Sequence, residues 1–187
     1  MGLTIEEVDS RSQRKKTVLR TLRVPEDVAR ALEEAADEDG VSFNALMSSV
    51  LTDYTVWARK AKKFGFTFVS KQFFRILLES SDPKKLEALV KERYAGIMKS
   101  MAMVWFGDTS ASSIIRAFEL LAQHNWHMNF NWTQEGLEYT LTFQHDLGEK
   151  FSLFLKSMLE STITEDFRSR PTFEEADGLV TVRFSLQ

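Results

Sequence analysis

The 187-residue chain contains no cysteine. Disulfides and thiolate metal sites are therefore excluded, which fits a reducing interior and makes a cytoplasmic location the expectation. No apolar run is long enough to span a bilayer, and the N-terminal stretch lacks the apolar core of a signal peptide. The sequence has no glycine-rich phosphate loop, no G-x-S-x-G nucleophile elbow and no H-E-x-x-H pair. It has only three histidines, His124, His127 and His145. Three or four convergent ligands with supporting partners are needed for a zinc or iron site. These three fall at a predicted helix end, on the polar face of a strand and at the end of the next strand. No metal and no cofactor is expected from them. Carboxylates such as Glu135, Glu138, Glu174 and Glu175 are scattered and read as solvated faces, so no enzyme activity is expected.

Aromatic residues, by contrast, are abundant. Fifteen Phe and four Trp can bury a sizeable core, and the length suits one large or two small domains. The net charge of −3 argues against nucleic acid, but its distribution argues for it. Between Arg11 and Val24 lie six basic residues, Arg11, Arg14, Lys15, Lys16, Arg20 and Arg23, and no acidic one. A second basic run, Arg59, Lys60, Lys62 and Lys63, follows further on; it reads first as a solvated helix end. The acids of this half, Glu33, Glu34, Asp37, Glu38 and Asp39, gather on one predicted helix. Local charge, not net charge, determines where phosphate can sit.

Residues 1–16 are polar and aperiodic and are expected to form a flexible basic arm. Residues 18–24 alternate as a strand. With Pro25 as the anchor, Val24, Leu22 and residue 20 take one face, and Arg23, Thr21 and Leu19 the other. Pro25 cannot continue a ladder but suits the first turn of a helix. Helical spacing then runs to about Asp39, with Val28, Leu32 and Ala36 as the buried stripe. Gly40 can take the left-handed conformation that closes a helix, and Ser42 is a good N-cap for the next one. Leu46, Val50 and Tyr54, with Met47 and Leu51, form its stripe, which continues toward Trp57 and Ala61 and stops near Gly65.

The order basic strand, capped acidic helix, Gly turn and second capped helix, carried by R-T-L-R-V-P-E-D and G-V-S-F-N-A-L, resembles the Arc/MetJ-type ribbon-helix-helix DNA-binding family. The resemblance covers about a quarter of the chain. It implies that two chains each donate a strand to an intermolecular antiparallel ribbon, making an obligate homodimer or a higher oligomer. It also implies that the ribbon enters the major groove of double-stranded DNA. In this sequence the base-reading positions are Thr21 and Arg23, with Leu19 third. Arg can pair bidentately with guanine, and the Thr methyl can touch thymine. Phosphate contacts fall to Arg20, Lys15 and Lys16, and to the free N–H groups at Ser42, Phe43 and Asn44, where the helix dipole favours an anion. Two positions depart from the family pattern: Arg20 stands where an apolar inward residue is usual, and Leu19 is an unusual base reader.

The expected division is an arm at 1–16, the ribbon-helix-helix domain at 17–66 and an effector or oligomerisation domain at 67–187. In the last region, helices are expected at about 70–80, 83–104 and 109–124. The spacing then switches to period two. Trp126, Met128, Phe130 and Trp132 form one strand face, and Leu137, Tyr139, Leu141 and Phe143 the other half of a hairpin. A helix over 147–161, capped by Asp146, and a last strand through Val180, Val182, Phe184 and Leu186 complete an α+β domain, an antiparallel sheet packed with helices. The function expected is a dimeric sequence-specific transcription regulator. Two alternatives stay open. The ribbon could serve only dimerisation in an antitoxin-like or structural interaction module. The C-terminal region could sense a small-molecule effector of unknown identity, with Trp105, Trp126, Trp132 and many Phe available to line an apolar pocket.

Overall fold

The computed structural model describes residues 17–126 and 128–186, the side chains of residues 125 and 126 excepted. The expected arm over 1–16, with Lys15 and Lys16, lies outside the described residues, as does His127. The chain divides into two compact units, residues 1–49 and 50–187. This differs from a boundary at 66/67. The reason is chemical: Trp57 and Ala61 are buried in the same core as Trp105, Ile114 and Phe118.

In the first unit, residues 17–25 form neither helix nor strand, so the strand expected over 18–24 is not seen among the described residues. Helix α1 (Glu26–Glu38) starts directly after Pro25. It ends as the Gly suggested. Gly40 has φ 66°, its N–H donates to the Asp37 carbonyl at 3.1 Å, and the Val41 N–H donates to the Ala36 carbonyl at 2.9 Å. This double closure is the Schellman arrangement. Helix α2 (Phe43–Asp53) follows, with the Ser42 hydroxyl accepting from the Ala45 N–H at 3.2 Å. Among the described residues of this unit only Ala36 is buried. Val28, expected inside, is exposed in the single chain.

The α2 helix does not run on regularly. Residues Tyr54–Ala58 form a π-helical turn before α3 (Arg59–Lys63), and Gly65, with φ 75°, ends the run. The second unit continues with α4 (Lys71–Ser80), α5 (Pro83–Tyr94), α6 (Ile97–Phe106) and α7 (Ala111–Leu121). The single helix expected over 83–104 is thus two, because Gly96 adopts φ 71° and breaks the hydrogen-bond run after Tyr94. The α7 cap is Ser110; its hydroxyl accepts from the Ser113 N–H at 3.3 Å. Asp108 instead accepts from the Ser110 N–H and hydroxyl and from the Ser113 hydroxyl, which holds its carboxyl below the usual value. A second π turn, Ala122–Trp126, follows α7.

The sheet is antiparallel in the order β1-β2-β4-β3, made of β1 (Asn129–Glu135), β2 (Glu138–Gln144), β3 (Thr172–Ala176) and β4 (Leu179–Ser185). The expected hairpin is present, with Phe130 opposite Phe143 and Trp132 opposite Leu141. Alternation sends Tyr139, Leu141 and Phe143 of β2, and Val180, Val182 and Phe184 of β4, to the buried face. Helix α8 (Glu149–Asp166) packs on the sheet, and its Phe151, Leu155, Met158, Leu159 and Ile163 are fully buried. The described chain is therefore α+β, a four-stranded antiparallel sheet packed with helices. Asp146 does not cap α8, which starts two residues later after Gly148; its carboxylate pairs with Lys71 instead.

Candidate functional site

The sequence-predicted base readers lie in the segment before Pro25. Leu19 is 91% exposed, and Thr21 and Arg23 are exposed beside it. Arg20 is exposed too, its guanidinium donating only to the neighbouring Leu19 carbonyl at 3.2 Å. The inward positions Leu22 and Val24 also lie open to solvent. The expected phosphate clamp has the right local form: Ser42 caps the first turn of α2, and Phe43 and Asn44 are its first residues. Thr21, Arg23 and Leu19 are thus exposed, and Ser42 caps α2, within the first unit.

The two described histidines, His145 and His124, both have side-chain partners. His145 is buried and bound on both ring nitrogens. Its Nδ1 accepts from the Leu147 N–H at 3.3 Å, so the ring proton sits on Nε2, which lies 3.0 Å from the Ser152 hydroxyl. In this tautomer Nε2 donates, so His145 cannot take a proton from Ser152 as a general base. Burial holds its pKa below the ordinary 6.5, against the opposing pull of Asp146 and Asp177. The His145 N–H donates to the Gly178 carbonyl at 2.8 Å. The residue thus ties the end of β2 to the β3–β4 turn and the start of α8. Nearby, Arg75 donates to the Asp146 carbonyl, and the Lys150 ammonium donates to the Glu79 and Ser81 carbonyls, each at 2.6 Å. Among the described residues, no three His, Asp or Glu side chains converge to hold a metal ion.

His124 belongs to a second assembly that sequence periodicity did not reveal. Its Nδ1 lies 3.0 Å from Asp53 Oδ1, and its ring stacks on Trp57 at 5.3 Å and 10°. The two π turns meet at this contact. Trp57 is also gripped edge-on by Phe66 at 5.3 Å and by Trp105 at 5.7 Å. Phe64 and Phe106 extend the cluster through Trp105. In front of Trp57 opens a cavity of about 280 Å³ lined by Tyr54, Trp57, Ala58, Ala61, Lys62, Phe66, Thr67 and Phe68. Single inserted turns of π-helix occur disproportionately at functional sites. The only sequence signal for this one was the density of aromatic residues, because a π turn leaves no periodic mark over five residues.

A larger, polar hollow of about 590 Å³ lies at the β4 end of the sheet, beside Glu138, Arg168, Arg170 and Arg183. Arg183 is occupied by Glu174 at 2.5 Å. Arg168, with φ 53°, takes the left-handed position that closes α8, where the Ser169 N–H donates to the Ile163 carbonyl at 3.2 Å. Of these arginines, Arg183 has a carboxylate partner. No helix among the described residues is long and apolar enough to cross a membrane. No family model matches this chain, and no curated protein matches it at a significant level.

Proposed function

We propose that the chain is a sequence-specific DNA-binding transcription regulator of the ribbon-helix-helix type, acting as a homodimer in the cytoplasm, with the second unit as effector or oligomerisation domain. One observation carries this reading. An acid-free segment outside any helix or strand holds Thr21 and Arg23 in solvent and leaves Leu22 and Val24 uncovered. Immediately after it come α1, a Schellman turn at Gly40 and the Ser42-capped α2.

Apolar side chains on such a segment stabilise nothing while bare. A second copy of the segment would cover Leu22 and Val24 and satisfy the open backbone groups. The exposed Val28 and Val41 extend the surface that such a partner covers. The opposite face of the ribbon then presents Thr21 and Arg23 to base edges, with Leu19 able to meet a thymine methyl. Arg20 and the free N–H groups at the start of α2 hold phosphates.

Selection of bound DNA from a random-sequence pool by the full chain tests this. The expected result is one enriched motif with two half-sites related by a twofold axis, as a symmetric dimer requires. Absence of any enriched motif, with folded protein, would replace this reading with a dimerising interaction module.

A further inference from the structure

We propose that the cavity in front of Trp57 is a binding site for a small planar aromatic carboxylate. The inference names the ligand class for the effector role given to the second unit, and it does not depend on DNA binding. Its floor is the buried Trp57 and Ala61, and Tyr54, Phe66 and Phe68 form its walls. Phe68 is 90% exposed, so a large ring stands in water at the mouth of an otherwise aromatic hollow. A flat apolar ligand would recover that surface and add offset or edge-on ring contacts.

The floor is built in advance. Trp57 is held by His124 behind it and by Phe66 and Trp105 at its edges, and His124 is held by Asp53. Fixing the ring before binding removes an ordering cost that a loose aromatic cluster would carry.

The charge of the ligand follows from α3. Its Arg59, Lys60, Lys62 and Lys63 make no ion pair with any carboxylate among the described residues. Lys62 lines the cavity. Lys60 is turned to the Phe106 ring at 4.7 Å, where Arg116 also sits, at 4.8 Å. Burial, and then the nearby Arg116, hold its pKa below the ordinary ammonium value. Of the four, Lys62 is the cation in the lining, and an ammonium without a carboxylate partner at an apolar hollow gives a positive local potential that favours an anionic group there over a neutral or cationic one.

Calorimetric titration of the full chain without DNA, using 2-naphthoate as the probe, tests the proposal. Naphthalene-2-methanol serves as the neutral control and cyclohexanecarboxylate as the non-aromatic one. Saturable binding of 2-naphthoate at one per chain is expected, roughly three- to fivefold tighter than the alcohol, with no saturation by cyclohexanecarboxylate. Phe68→Ala, at a position exposed enough to spare the fold, should weaken 2-naphthoate about tenfold. Lys62→Gln should lower 2-naphthoate to the affinity of the alcohol and leave the alcohol unchanged. Lack of saturation, or binding unaffected by Phe68→Ala in a variant that melts like the parent, overturns the site. Equal affinity for acid and alcohol overturns the carboxylate. Because no DNA is present, none of these outcomes bears on the ribbon.

Discussion

Two residues, Gly178 and His145, show how much of the second unit hangs on a single turn. Gly178 has φ 67°, and a methyl group on it would run into the His145 carbonyl oxygen, which belongs to rigid backbone. Gly178→Ala should therefore destabilise the protein by more than about 1 kcal/mol, read as a drop in the urea midpoint. Gly136, at φ 62° with open space around it, is the internal comparison. Its Ala variant should cost only the left-handed strain, about 1–2 kcal/mol, and less than Gly178→Ala.

His145 predicts a pH dependence. Its folded pKa is depressed below 6.5, chiefly by burial, so the unfolded chain binds the proton more readily than the folded one. Stability is level above that ordinary value and falls as pH drops through the window beneath it, down to the folded pKa. Urea midpoints measured across that window should show the loss, and His145→Gln should flatten it. An unchanged slope in the variant would assign the loss to another group. In the sequence, His145 reads as a residue at a strand end and not as a metal ligand. His145 and its partners, Ser152 and the Gly178 carbonyl, lie in three separate parts of the chain, and no spacing within one element reports them.

At the scale of elements, legibility tracks burial and local chemistry. Helices α1 and α2 were readable because Pro25, Gly40 and Ser42 are terminal signals that act within a few residues. Strands β1, β2 and β4 were readable because one face of each is apolar. Strand β3 was not: it is an edge strand with only Phe173 partly buried, so Glu174 and Glu175 looked like a solvated run. Those acids in fact pair with Arg183 and Lys156. The π turns were also invisible, because they are settled by tertiary contacts such as the Trp57–His124 stack. Of the candidate sites, the exposed basic segment before Pro25 could be read from charge, but the strand expected of its alternation is not seen among the described residues. The aromatic cavity could not be read, since its lining is brought together by a bulge.

Packing makes a further prediction at this scale. Leu155 sits on α8 with no exposure, whereas Leu77 on α4 is half exposed. Leu155→Ala should cost about 2–5 kcal/mol through lost transfer energy and a cavity. Leu77→Ala should cost far less in the monomeric reference state. A large concentration-dependent loss at Leu77 would mark α4 as part of a contact between copies.

For the whole molecule, the central claim joins dimerisation to DNA recognition. Sedimentation of the full chain should give twice the chain mass of 21.5 kDa at micromolar concentration. A monomer under those conditions would remove the ribbon. DNA affinity should also fall as salt rises, with a logarithmic slope near −0.9 for each phosphate contacted, despite a net charge of −3.

The most direct measurement compares wild type and Arg23→Ala by fluorescence anisotropy on the selected DNA motif and on an unrelated duplex at the same salt. The account predicts that the wild type prefers the motif. It predicts that Arg23→Ala loses about 1–3 kcal/mol on the motif and much less on the unrelated duplex. Equal affinity of the wild type for both duplexes, or equal loss on both in the variant, would contradict base reading by the ribbon.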